Sequence, residues 1–219
     1  MRLTCSGVHT LTAAPELAGA LGKPPDYVAA LERDAHLAQS EVDKGFATIF
    51  AQAIIVAWGA LETAVRDFLV RWLATFPSAR QSPAVSKIRI RFGDYEALSP
   101  GERMEYLLSE LERELGAPLQ PGVGRFESLL SALSIGGPVD PVLRRDLLEL
   151  AATRNVLVHR AGVADERFVA LCPWLGLQAG AEVRVSQEQY HRHLGAVYRY
   201  AGVIVRRAKT VGGTLIGGA

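Results

Sequence analysis

Over residues 46–72, apolar side chains recur at spacings of three and four: Phe46, Ile49, Phe50, Ala53, Ile54, Ala57, Leu61, Val65, Phe68, Leu69 and Trp72. A helix with 3.6 residues per turn puts such positions on one face, so the stretch reads as a long helix with one side buried. A chain built around it has to cover that face with further helices. The helical pattern opens at Pro24, with Asp26, Tyr27, Leu31 and Leu37, and Pro77 with Ser78 ends it. A break near 43–45 leaves open whether this is one helix or two.

Start and stop signals place the other helices. Ser99 before Pro100 is an N-cap followed by proline at the first helical position, and Gly116 with Pro118 stops that helix. Asp140 before Pro141 repeats the signal. Its helix runs through Leu143, Leu147, Leu150 and Ala151 to about Arg160, where Gly162 is placed to end it. A short apolar helix at 126–133 lies between, closed by Gly136 and Gly137. Ser186, with Glu188 in the first turn, starts a last helix. Tyr190, Leu194, Val197, Tyr198, Ala201, Ile204 and Val205 carry its apolar face, and Arg206, Arg207 and Lys209 complement its end. Two runs alternate with period two instead: residues 87–91 and residues 180–186. The expected fold is all-α, with a small β-hairpin or short strands before the last helix. Residues 1–23 lack a period and read as an extension, 24–208 as one helical domain, and 209–219 as a flexible tail.

Charge limits the partners. The chain has 219 residues with 24 basic and 23 acidic side chains, for a net charge of +1, so any contact with nucleic acid has to come from a local patch. Two cysteines, Cys5 and Cys172, make neither a disulfide framework nor a zinc set, which reads as a reducing compartment. The N-terminus lacks the unbroken apolar stretch of a signal peptide, and 46–58 is too short and too polar for a bilayer span. A cytoplasmic protein without a membrane partner is expected. His191 and His193 stand two apart and do not share a helix face, so no metal is expected there, and nothing calls for a cofactor. Trp58, Phe68, Trp72 and Tyr198 fall at helical spacing and read as core.

Chemistry concentrates in residues 153–162, Thr-Arg-Asn-Val-Leu-Val-His-Arg-Ala-Gly. Arg154 is a permanent cation and His159 titrates near neutrality. On an ideal helix they lie about 140° apart and about 7.5 Å along the axis. Asn155 and His159, four apart, share a face, and the long Arg154 side chain can swing toward it. In RNA the 2′-hydroxyl can attack the adjacent phosphate. Histidine suits the proton transfers, and the arginine fork suits the crowded phosphorane. One imidazole cannot easily be both base and acid, so two copies across a shared cleft are expected, as a homodimer.

The run resembles the Arg-x4–6-His signature of HEPN domains, with Asn155 in the position after the Arg. Residues 58–69 (WGALETAVRDFL) resemble the early helix of that family, with an inward acidic residue. Residues 124–133 (GRFESLLSAL) resemble the short helix before the motif helix, and EVRVS with the last helix resembles the C-terminal end. The resemblance is closest to the RiboL-PSP-like HEPN group and covers most of 40–208. It implies a helical bundle, dimerisation and metal-independent RNA cleavage, with Arg154 and His159 as the catalytic pair and Asn155 in support. It also implies a toxin or phage-defence effector, with an antitoxin or other defence protein as partner. Some family members carry a Tyr two residues after the His, which an antitoxin modifies; here that position is Ala161.

Other residues have two readings. Glu62 lies in an apolar stretch where a lone carboxylate is costly, so an ion pair with Arg154 is expected. That pair would be structural, would orient a catalytic Arg, or both. Lys87, Arg89 and Arg91 point one way on a strand and either track an RNA backbone or form a solvated edge. Arg160 is a further candidate RNA contact. The rival to a ribonuclease is a HEPN-like module that binds RNA, nucleotide or protein without turnover.

Overall fold

The computed structural model describes residues 2–217, with side chains over 10–213. The elements in order are α1 (Arg2–Ala20), α2 (Pro25–Asp43), α3 (Ala47–Thr75), α4 (Pro77–Arg80), α5 (Phe92–Glu96), α6 (Pro100–Glu114), α7 (Gly124–Ala132), α8 (Pro141–His159), α9 (Glu166–Leu171) and α10 (Gln187–Gly217). The fold is all-α, and no strand forms among the described residues. The chain divides into two compact units. One runs to Gln52 and adds Arg184–Tyr190; the other is Ala53–Val183 with the chain from His191 onward.

The first unit holds α1 and α2, which pack on each other across the turn at residues 21–24. The expected N-terminal extension is therefore helical, with Pro15 inside α1. α2 buries no residue. Its C-terminus answers the question of one helix or two. Gly45 and Phe46 both take positive φ, and the Phe46 amide donates to the Glu41 carbonyl (2.8 Å), closing the turn before α3 starts. Phe50 stacks on Tyr190 at 5.2 Å in this unit. Ser186 and Gln189 exchange hydrogen bonds at the start of α10, as its capping role requires.

The second unit contains the main core. Ile54, Trp58, Leu61, Val65, Leu69, Trp72 and Leu73 of α3 are buried, at the spacing that the apolar pattern predicts. By length and composition alone α3 could cross a membrane. Here its buried stripe packs within the helical core, and Trp58 meets Phe126 of α7 at 5.6 Å. Burying seven large side chains contributes on the order of 1.5–3 kcal/mol each before the entropy of ordering them is subtracted. α6 starts with a capping box between Ser99 and Glu102, and Asp140 caps α8 through the Leu143 amide (3.0 Å).

Both strand expectations fail for want of a partner. Residues 180–183 make a single antiparallel bridge, Val163 to Glu182, flanked by the Ala164 amide to the Ala181 carbonyl and the Val183 amide to the Gly162 carbonyl. Residues 87–91 run from a 3-10 turn at Val85–Lys87 into the start of α5 with no ladder beside them. Alternation alone cannot supply the hydrogen bonds of a sheet. The expected flexible tail continues α10 as far as Gly217, and residues 218–219 lie outside the described part.

The core face of α10 also differs from the apolar stripe. His193, Ala196, Tyr200 and Ile204 are buried, whereas Tyr198 is 71% exposed. Buried carboxylates opposite α10 explain the rotation. Glu127 accepts from the Tyr200 hydroxyl (2.7 Å) and from Arg207 (3.0 Å). Glu149, 0% exposed, accepts from Arg192 and from the Trp174 indole (2.6 Å), with His193 at 3.5 Å. Asp146 takes Arg192 and Arg199, each at 3.0 Å. These polar pairs turn α10 so that its mixed face, and not its most apolar one, meets α7 and α8.

Candidate functional site: a cationic cleft beside α8

α8 carries both kinds of surface. Leu143, Leu147, Leu150 and Val156 are buried in the core, and Leu148, Ala151, Ala152, Arg154 and Asn155 line an open cleft of about 220 Å³. The opposite wall comes from Trp58 and Glu62 of α3, Arg125 of α7, and Pro118, Gln120, Pro121 and Gly122. Asp165, Arg167 and Phe168 close the end. Gly122 is what lets the 118–122 segment approach. Its φ is +55°, and a Cβ there would meet the Leu148 backbone at 3.0 Å.

Three guanidinium groups line the cleft, from Arg125, Arg154 and Arg167, against two carboxylates, Glu62 and Asp165. Both carboxylates are engaged. Glu62 pairs with Arg125. Asp165 caps α9 through the Phe168 amide (2.8 Å) and pairs with Arg160 at 3.4 Å. Arg154 is different: it is half-buried, and its Nε is shut off from solvent with no hydrogen-bond partner. A buried donor without an acceptor is costly, so this side chain is not fully satisfied by the fold.

Of the residues expected at the site, Arg154, Asn155 and Glu62 line one cleft. Glu62 does not pair with Arg154, because Arg125 at the start of α7 shares its wall and takes the carboxylate. His159 is the last residue of α8, exposed, and not part of the lining. It stands one turn beyond Asn155 on the same stripe, as the spacing predicts. Arg160 is exposed and held by Asp165. Lys87, Arg89 and Arg91 are exposed and belong to a different surface from the cleft lining.

α8 ends in an uncommon way. Ala161 and Gly162 both take positive φ, +51° and +77°. The amides of Arg160 and Gly162 both donate to the Val156 carbonyl, so the helix closes sharply just after His159. A left-handed conformation costs a residue with a Cβ roughly 1–2 kcal/mol, and Ala tolerates it better than a bulky side chain.

The pattern reading missed Arg125 and Arg167. Arg125 had a signal. A cation in the first turn of a helix sits against the positive end of the dipole, so its presence there asks for a partner or a ligand. Arg167 had none, since only the fold of 163–171 brings it near α8. Cys172 supplies no nucleophile: burial, with Glu149 adding to it, pushes its thiol up to about 12. Among the described residues, no group of three or more His, Cys, Asp or Glu side chains is placed to hold a metal ion.

No protein-family model, no curated protein and no solved structure matches this chain.

Proposed function

We propose that this protein is a metal-independent endoribonuclease of HEPN type, with its helices forming a HEPN-like bundle. The reading rests on one observation above all: Arg154 lines a cationic cleft with a buried Nε that no protein atom satisfies, and His159 follows one turn beyond Asn155 on the same helix. Arg154 stabilises the phosphorane, Asn155 orients the phosphate and His159 moves protons. The 2′-oxygen bonds to phosphorus as its proton leaves, and the 5′-oxygen departs with a proton. The products are a 2′,3′-cyclic phosphate and a 5′-hydroxyl end. The nucleophile is the RNA's own hydroxyl, so the step needs no metal-bound water. Two protomers supply the second imidazole, which makes the active species a homodimer. A cytoplasmic toxin or defence effector restrained by an antitoxin or other defence protein fits such an activity.

The test is incubation of the purified chain with single-stranded RNA in excess chelator, beside His159→Ala and Arg154→Ala. Wild type should give cyclic-phosphate ends and each variant should lose at least about a hundredfold in rate, the lower range for a general acid–base group. Equal activity, or equal inertness, in all three proteins would remove the proposal. The position of His159 outside the cleft lining favours a second reading, a HEPN-like module that binds RNA without turnover. Tight RNA binding with no cleavage by wild type would select it.

A further inference from the structure

The Glu62–Arg125 pair does more than fill a gap between helices. Both residues line the cleft beside Arg154, and both also line a second hollow of about 210 Å³ on their far side, among Val65, Arg66, Glu112 and Leu129. The pair is thus a thin partition between two open spaces. Its side chains remain partly exposed, 34% for Arg125 and 26% for Glu62. A pair so placed is a poor stabiliser, because water screens it from both sides. It is well placed to change partners.

We propose that Arg125 is a phosphate-binding residue of this cleft, held by the Glu62 carboxylate until a phosphate takes that carboxylate's place. A phosphate oxygen and a carboxylate oxygen offer the same fork geometry to a guanidinium, so the exchange costs Arg125 little. Arg154 supplies the second guanidinium, and Arg167 a third. Arg125 stands in the first turn of α7, which begins at Gly124 with no side-chain cap, and Pro121 and Gly122 just before the helix line the same wall. Asp165 opposes an anion, but its charge is shared with Arg160 and the Phe168 amide. At about 220 Å³ the cleft is smaller than the roughly 300 Å³ of a drug-sized pocket. It has room for a small anion such as a phosphate group. The ligand chemistry is therefore a phosphate group, whether free or carried on a nucleic-acid strand. This rests on reading the cleft as the place where Arg154 meets phosphate, and it does not require turnover.

The experiment is calorimetric titration of the full chain with inorganic phosphate and, in a second arm, with a 2′-deoxydinucleotide that carries a terminal phosphate and cannot be cleaved by internal attack. Wild type, Arg125→Gln and Glu62→Gln are compared at fixed salt, with circular dichroism confirming folding. Arg125→Gln should weaken binding roughly tenfold, the loss of one charge-assisted contact. Glu62→Gln should strengthen it several-fold, because the competing carboxylate is gone. A purely structural pair predicts the opposite for Glu62→Gln. Binding in the first arm alone identifies a free-phosphate site, and stronger binding in the second identifies a strand phosphate; either supports the proposal. No binding by wild type, unchanged affinity in folded Arg125→Gln, or weaker binding in folded Glu62→Gln overturns it. Absence of RNA cleavage leaves these outcomes intact, so the failure of one reading is told apart from that of the other.

Discussion

α8 shows charge handled in two ways within five residues. At Glu149 the carboxylate is wholly buried and accepts from Arg192 and Trp174, with His193 beside it. Arg154 is half-buried, lines an open cleft, and leaves its Nε with no acceptor. A buried charge that is fully partnered marks a structural joint, here the one between α8 and α10. A partly buried charge left without a partner beside open space is the kind of place at which the proposed ligand would bind. The difference lies not in the residue types but in whether the fold itself completes the hydrogen bonding.

Breaking the structural joint should have the largest effect. Glu149→Ala strands the Trp174 indole, leaves Arg192 with Asp146 alone, and should cost on the order of 3–5 kcal/mol, the usual loss when one partner of a buried pair is removed. Urea unfolding measures it, and a loss below about 1 kcal/mol would mean that the network does not hold α8 to α10.

A smaller effect comes from a single proton in the same network. Burial lowers the His193 pKa from its ordinary 6.5 against the opposing pull of Glu149, with Arg192 lowering it further and Asp146 opposing, and its Nδ1 has no partner. The folded state therefore takes up this proton less readily than the unfolded chain. The His193 contribution to stability should be complete above pH 6.5 and should decline as pH falls below that value. His193→Gln should flatten the slope of unfolding free energy against pH in that window. An unchanged slope would place the proton elsewhere.

Tyr200→Phe removes one hydrogen bond to Glu127 but leaves Arg207 on that carboxylate. Its cost should be about 1.5 kcal/mol by the same unfolding measurement. The smallest change in stability should come from Arg154→Ala, within about 0.5 kcal/mol of wild type or slightly stabilising, since no protein hydrogen bond to its Nε is lost. The same variant should lose affinity for single-stranded RNA in a filter-binding assay. If Arg154→Ala instead destabilises as much as Glu149→Ala, the contrast between the two ends of α8 disappears.

Much of the helical layout was legible from pattern and punctuation. Ser99 with Pro100 and Asp140 with Pro141 marked two helix starts, and the spacing of three and four marked the buried stripe of α3. Apolar period is a property of short segments, so it survives reading in one dimension. The strands at 87–91 and 180–186 were misread because alternation suits a strand only when a neighbouring strand exists. The face of α10 was misread because apolarity does not rank His193 and Tyr200 above Tyr198. They enter the core only because Glu127 and Glu149 wait for them there.

At the site, Arg154, Asn155 and His159 could be named from chemistry and spacing along one helix. Their separation into a cleft lining and an exposed helix end, and the choice of Arg125 over Arg154 as the partner of Glu62, could not. By itself the sequence determined that the chain would be helical, where α2, α6, α8 and α10 start, and which helix carries Arg154, Asn155 and His159. These follow from interactions a few residues apart. Tertiary structure alone decided which charges meet, which donor is left without an acceptor, and where space remains open. Those outcomes depend on contacts between residues tens of positions apart, whose pairing no local pattern encodes.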